Sequence, residues 1–286
     1  MKIAHSINEL TTIISKENEK GKRVGFVPTM GNLHAGHISL IEKVKSFSDF
    51  SVASVFVNPM QFGENEDLDN YPRTLKEDSE KLSYAGCDLL FAPTPSEIYP
   101  NGMDKHLKMN MPHMSGVLCG NSRPTHFEGV CTVVTKLFNI VRPDVAVFGK
   151  KDLQQLLIIK QMVKDLCLSI EVVGSDTARE SNGLAMSSRN GFLSPDEKEA
   201  ASIIYKTLQQ LRDEIVADNL KYKELMGKAR LAVENKGFKV DYLEIRTIEA
   251  LNLAKDGEQY DNLAIFAAAY AEKTRLIDNI TLNPLD

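Results

Sequence analysis

Two histidines three residues apart, in His34-Ala35-Gly36-His37, sit where an apolar run hands over to a helical pattern. Arg23 to Thr29 (RVGFVPT) reads as a buried strand, and Met30-Gly31-Asn32 reads as a turn. Ile38, Leu40, Ile41 and Val44 then recur at helical spacing. The pair therefore falls at or near a helix N-terminus, where unsatisfied N–H groups and the positive end of the helix dipole favour an anion. Gly31 and Gly36 allow a large anion close to the backbone, and two imidazoles on one side can donate to phosphate oxygens. Taken alone, such a pair is more often surface decoration or a helix cap. Zinc is a poorer reading, because the metalloprotease pattern needs i, i+4 histidines with a Glu between them.

A second segment, Met186-Ser187-Ser188-Arg189-Asn190 behind Gly183, changes the balance. A lone Ser-Ser-Arg is usually a solvated turn. Paired with the histidine turn, it reads as the other half of a nucleotide clamp, with hydroxyls and amides holding phosphate oxygens and a guanidinium neutralising them.

The elements that must position these groups follow from pattern and length. The 286 residues carry 43% hydrophobic and 26% charged side chains, enough for a packed core and about two domains. A net charge of -5 and a pI near 5.8 oppose nonspecific nucleic-acid or membrane binding, so any anion site must be local. Cys87, Cys119, Cys131 and Cys167 form no Cys-x-x-Cys pair, which fits reduced thiols in the cytoplasm. The N-terminal stretch has no signal-peptide pattern and no run reaches membrane-spanning length.

Up to about 175 the chain alternates helix and strand. Strands are expected near 23–29, 51–57, 88–92, 144–148 and 169–174, and helices over the Ile7–Ile14 stretch and near 35–48, 73–85, 129–142 and 152–165. Runs such as SVASVFV, DLLFAP and DVAVFG alternate little, as strands buried on both faces do. This predicts an α/β, Rossmann-like, doubly wound parallel sheet, whose ligand lies beyond the carboxyl ends of the strands. The histidine turn, Asn58 to Gln61, and Gly149 to Asp152 each follow a strand directly. Beyond Asn190, helices near 195–217 and 221–236 and strands near 238–246, 262–271 and 274–282 predict a smaller α+β domain. The expected division is 1–184 and 185–286.

Six segments in order resemble the pantothenate synthetase (pantoate:β-alanine ligase) family of the His-x-Gly-His nucleotidyltransferase superfamily. They are VPTMGNLHAGH (27–37), FVNPMQF (56–62), YPRT (71–74), RPTHFEG (123–129), FGKKDLQQ (148–155) and MSSRN (186–190), and the resemblance spans nearly the whole chain. It implies a cytoplasmic homodimer that joins pantoate to β-alanine with ATP and Mg²⁺ through a pantoyl-adenylate. It further implies that His34, His37 and Lys151 are catalytic, with His37 the favoured donor as pyrophosphate leaves.

ATP would be held by Met30, Gly31, Asn32, Leu33, His34, Ala35, Gly36 and His37, by Gly149, Lys150, Lys151 and Asp152, and by Ala178, Met186, Ser187, Ser188 and Arg189. The family pattern has Glu where this chain has Lys150, so the phosphate lysine is assigned to Lys151 by register, with a surface charge as the other reading of Lys150. Gln61 and Gln155 would bind pantoate, and Arg123 and His126 would shape the mouth of its pocket. Met30, Val133 and Val134 are candidates for contact with the gem-dimethyl group, against core packing for the valines. Asp78 is a candidate Mg²⁺ ligand, against a solvated helix charge. The loop 184–190 and the C-terminal domain are expected to close over the adenylate and exclude water. Two rivals stay open: a nucleotidylyltransferase that stops at nucleotide transfer, and a binding protein that keeps the fold without catalysis.

Overall fold

In the computed structural model, which describes residues 1–63 and 68–283, six parallel strands run in the order β1-β4-β3-β2-β5-β6. They are β1 (Lys2–Ala4), β2 (Val24–Thr29), β3 (Phe50–Val55), β4 (Leu89–Phe91), β5 (Val145–Gly149) and β6 (Glu171–Ser175). Five of the six were legible as apolar runs. The three-residue β1, which pairs with β4 from Lys2↔Leu89 to Ala4↔Phe91, was not, because so short a strand has no period to read.

Both faces of the sheet are covered, as the near-continuous apolar strands require. Neighbouring residues of a strand point to opposite faces. Phe26 accordingly meets Phe138 of a long helix edge to face at 6.4 Å, while Val27 joins a separate cluster with Leu33, Ile41, Val44, Ala53 and Leu82. The helices are α1 (Ile7–Asn18), α2 (Ala35–Lys45), α3 (Leu75–Tyr84), the one-turn α4 (Pro95–Ile98), α5 (Pro112–Ser115) and α6 (Cys119–Ser122), then α7 (His126–Val141) and α8 (Leu153–Asp165). The three short helices stand in a stretch where the sequence showed no periodicity.

Strand β2 lies between β3 and β5, with Val24↔Phe50 and Gly25↔Val145 in register. The chain thus leaves β2 toward one side of the sheet and later returns on the other. That reversal is the topological switch point where α/β sheets bind ligands outside the strand ends.

By contacts the chain forms two compact units: residues 1–116, 120–149 and 158–175, and residues 117–119, 150–157 and 176–286. The break thus comes ahead of the expected cut at 184, and two short segments, one of them the first turn of α8, go with the C-terminal unit. A chain that leaves and re-enters a unit cannot be divided by a composition shift alone.

The C-terminal unit carries α9 (Pro195–Val216), α10 (Tyr222–Glu234) and an antiparallel sheet of β7 (Lys239–Thr247), β8 (Leu263–Ala271) and β9 (Thr274–Thr281) in the order β7-β8-β9. Helix α9 starts as its sequence predicts, with Ser194 and Glu197 in a reciprocal capping box and Pro195 at the first helical position. Ile204, Leu208, Leu211, Tyr222, Leu225, Ile245 and Ile265 form the core of this unit. Among the described residues no helix is long and apolar enough to cross a membrane.

Candidate active site

The turn after β2 is built so that α2 begins with two histidines. Gly31 and Asn32 adopt φ of +85° and +50°, a left-handed pair that glycine accepts freely and asparagine tolerates. A Cβ on Gly31 would also lie 3.0 Å from both Asp78 Oδ2 and Val55 Cγ1.

His34 is the N-cap of α2. Its Nδ1 accepts the N–H of Gly36 at 3.1 Å, and Nδ1 of His37 accepts the N–H of His34 at 3.3 Å, so the two rings close a reciprocal cap. Their centroids are 4.1 Å apart. A ring nitrogen that accepts a hydrogen bond carries no proton, so each neutral ring carries its proton on Nε2. Capping, read in the sequence as a rival to anion binding, is made through the Nδ1 atoms of both rings.

Helix α3 holds this turn from behind. Asp78 is fully buried, and its carboxylate accepts the N–H of Asn32 at 2.9 Å, the N–H of Leu33 at 2.8 Å and the Thr74 hydroxyl at 3.0 Å. One helical turn later, Lys81 Nζ donates to the Leu33 carbonyl at 2.7 Å. This burial corrects the reading of Asp78 as a solvated helix charge, and its oxygens accept from the turn's own amides. Among the described residues no group of three or more His, Cys, Asp or Glu side chains could hold a metal ion.

After β3, the sequence Asn58-Pro59-Met60-Gln61 makes a single 3-10 turn in which Asn58 Oδ1 accepts the Met60 N–H at 3.3 Å. Gln61 is buried and held at both ends. Its carbonyl receives His126 Nδ1 at 2.9 Å and Arg123 Nη2 at 3.4 Å, which requires the His126 proton to be on Nδ1. Its side chain receives Asn58 Nδ2 at 3.2 Å and donates to Met30 Sδ at 2.9 Å. Arg123 and His126 thus touch the backbone of Gln61.

Helix α7 comes close enough to do this because residue 129 is glycine. A Cβ there would sit 2.4 Å from the Met60 carbonyl oxygen and 2.6 Å from Gln61 N. Val133 and Val134 are both 5% exposed and pack in the core. Met30, Gly31, Asn32, Leu33, His34, Ala35, Gly36, His37, Gln61, Arg123 and His126 all belong to the N-terminal unit. Gly149 ends β5 there.

In the C-terminal unit, Lys150 to Asp152 form a 3-10 turn that leads into α8. Asn279 of β9 donates its side-chain amide to the carbonyls of both Lys150 (2.9 Å) and Lys151 (2.8 Å). Lys150 Nζ pairs with Asp176 at 2.9 Å, whereas Lys151 Nζ is 3.8 Å from Asp152. The two lysines are thereby distinguished, the first tied to a carboxylate and the second only loosely. Gln155 is half-buried on the first turn of α8, next to the buried Gln154.

Residues 178–186 form a hairpin in which Met186 N–H donates to the Ala178 carbonyl at 2.9 Å and Arg179 bridges to Ala185. Arg179 fixes it through a two-pronged pair with the buried Asp278 (2.7 and 3.0 Å) and lies 3.4 Å over the Tyr205 ring. Ser187 then caps a 3-10 turn (Ser188–Phe192) by accepting the Arg189 N–H at 3.2 Å. Ser187, Ser188 and Arg189 are half-buried.

Sequence reasoning did not single out Tyr99, Lys81, Arg179 or Asn279. The Asn-Pro step and the i, i+3 spacing of Asp78 and Lys81 were signals of local geometry, but the other partners are far away in the chain.

The family model described as pantoate-beta-alanine ligase matches residues 2–281. A pantothenate synthetase of Shewanella halifaxensis is 53% identical over 280 residues, covering 97% of this chain and 98% of the relative. One of Stutzerimonas stutzeri is 50% identical over 283 residues, covering 99% and 98%. The crystal structure of pantothenate synthetase from Thermus thermophilus superposes with a TM-score of 0.91 at 41% identity, covering 99% of this chain and 100% of that one. Pantoate-beta-alanine ligase from Francisella tularensis, complexed with beta-gamma ATP and beta-alanine, gives 0.80 at 37% identity, covering 100% and 99%. The fold, its switch-point turn and these matches along the whole chain agree, and the chain belongs to the pantoate-beta-alanine ligase family.

Proposed function

We infer that this protein is an ATP-dependent ligase that condenses pantoate with β-alanine through a pantoyl-adenylate, releasing AMP and pyrophosphate. The observation that carries the inference is family membership over residues 2–281. It is joined by a turn whose two Nε2–H groups stand at the N-terminus of α2, a place suited to phosphate.

A carboxylate is a poor acyl donor, because resonance and its negative charge discourage attack at carbon. Transfer of the adenylyl group to pantoate makes AMP the leaving group. The pantoate oxygen attacks the α-phosphorus, the bond to the bridging oxygen breaks, and pyrophosphate departs with that electron pair. Most of the catalysis is alignment and neutralisation of phosphate charge. His34 and His37 are assigned to the triphosphate as Nε2 donors, and His37 to the leaving pyrophosphate.

Lys151, with Ser187, Ser188 and Arg189, is assigned to phosphate charge, and Met186 and the Ala178 backbone to the nucleotide. Gln61 and Gln155 are assigned to pantoate, with Arg123 and His126 holding Gln61. The neutral amine of β-alanine then attacks the adenylate carbonyl and AMP leaves.

Mg²⁺ would lower the charge of the phosphates and, with Asp78 committed to the histidine turn, would enter mainly on phosphate and water oxygens. The C-terminal unit as a lid, a homodimer and residence in the cytoplasm complete the reading.

ATP–pyrophosphate exchange tests it. Exchange should require pantoate but not β-alanine, and all three substrates together should yield an amide detectable by mass spectrometry. Exchange that proceeds equally well without pantoate overturns the adenylate step. Exchange that needs a phosphorylated acceptor and gives no amide would instead mark a nucleotidylyltransferase.

A further inference from the structure

The amide of Gln61 has only one orientation open to it, and the reason lies in a hydrogen-bond relay that begins three residues earlier. Asn58 is 1% exposed and meets four groups. Two belong to the backbone and have no freedom: the Met60 N–H can only donate, and the Gly129 carbonyl can only accept. They place Asn58 Oδ1 toward Met60 at 3.3 Å and Nδ2 toward Gly129 at 3.1 Å. The remaining two contacts inherit that polarity. The atom of Gln61 facing Asn58 Nδ2 at 3.2 Å must be the acceptor Oε1, and the Tyr99 hydroxyl, 2.8 Å from Asn58 Oδ1, must donate. Gln61 Nε2 then points the other way, toward Met30 Sδ.

We propose that Tyr99 is a positioning residue for Gln61: its hydroxyl, bonded to Asn58 Oδ1, steadies the amide whose polarity the backbone has set, and so holds Gln61 with its N–H donor, rather than its carbonyl, offered to pantoate. The partner on the substrate is therefore an acceptor oxygen of the hydroxy acid, its carboxylate or a hydroxyl lone pair. This rests on the assignment of Gln61 to pantoate under the proposed function.

Three features support it. A thioether is a weak acceptor, so the Nε2 donor gives up little when an oxygen replaces Met30 Sδ. The Tyr99 hydroxyl is dry, the residue being 3% exposed, and burial pushes its ionisation well above the ordinary phenol range, so the donor is present at all working pH values. The Tyr99 ring is held independently of its hydroxyl, by Phe56 at 6.3 Å and His106 at 5.0 Å between centroids, and by Lys136 Nζ over its face at 5.5 Å. Removing the oxygen should therefore leave the ring in place.

Tyr99→Phe is the test, read in pantoate-dependent ATP–pyrophosphate exchange with the full chain. The KM for pantoate should rise by about fivefold, the cost of loosening one buried hydrogen bond, while the KM for ATP and the melting temperature stay near wild type. A pantoate KM unchanged from wild type overturns the proposal. So does an equal rise in the KM for ATP, which would mark a general structural role.

Adding Tyr99→Phe to Asn58→Ala should change the pantoate KM by less than about twofold, because the relay is already cut. A further fivefold would show Tyr99 acting by another route and would also overturn it. If Asn58→Ala does not fold, the KM split of the single variant decides alone. Wild-type exchange that ignores pantoate would defeat the proposed function, whereas normal wild-type behaviour with a silent Tyr99→Phe defeats only this inference.

Discussion

The carboxylate of Asp78 accepts the main-chain N–H of Leu33 across 45 positions of sequence, at 2.8 Å and with no solvent exposure. A second oxygen takes the N–H of Asn32, so one side chain on α3 sets the turn that presents both histidines. Asp78→Asn offers these two amides only one acceptor oxygen and places an NH₂ against the other. The expected cost is about 2–3 kcal/mol of stability in denaturant unfolding, with a raised KM for ATP. The Mg²⁺ concentration for half-maximal exchange should stay within about twofold of wild type. A large shift in that concentration with unaltered stability would return Asp78 to the metal.

His37 serves α2 through Nδ1 and is assigned to phosphate through Nε2. Its 3.3 Å cap bond is long, so His37→Ala should cost no more than about 1 kcal/mol of stability. The adenylation rate should fall by about 10² or more, as for loss of one preorganised donor to developing charge. Single-turnover formation of the adenylate measures this. Activity within about twofold of wild type would remove His37 from the reaction.

Asn279 donates to two successive carbonyls, those of Lys150 and Lys151, and so holds the lysine turn by its NH₂ alone. Asn279→Ala should raise the KM for ATP by roughly tenfold through misplacement of Lys151. Asn279→Asp should be worse than alanine, since it sets a carboxylate oxygen against the same two carbonyls. Steady-state kinetics of the pair decides, and equal effects would show that the donor orientation is irrelevant.

The four cysteines should differ sharply toward a thiol reagent at pH 8. Cys87 and Cys131 are buried, and desolvation pushes each thiol up to about 11, leaving almost no thiolate. Cys119 is buried also, in contact with the Tyr242 hydroxyl at 3.1 Å, and only Cys167 is exposed. Native protein should release about one equivalent from a chromogenic disulfide within minutes and four after denaturation. Rapid release of two or more would show that one of the buried sites opens.

The sequence by itself determined what depends on local order. The segments read as strands became β2 to β6, three of them apolar runs with little alternation, and the Ser194-Pro195-Asp196-Glu197 cap became the start of α9. The His-x-Gly-His spacing placed both rings on the first turn of α2 because three residues are nearly one helical turn. Tertiary structure alone decided which groups each of these meets. Nothing near Asp78 says that its amides lie at 32 and 33, nothing near Gly129 says that the Met60 backbone passes within 2.4 Å of a Cβ, and nothing in Lys151 names Asn279. Those partners are joined by strand order and by helices laid over a sheet. Hydrogen-bond polarity is likewise a property of neighbours in space: a glutamine is symmetric in the sequence and has a donor end and an acceptor end only once Asn58 is set beside it.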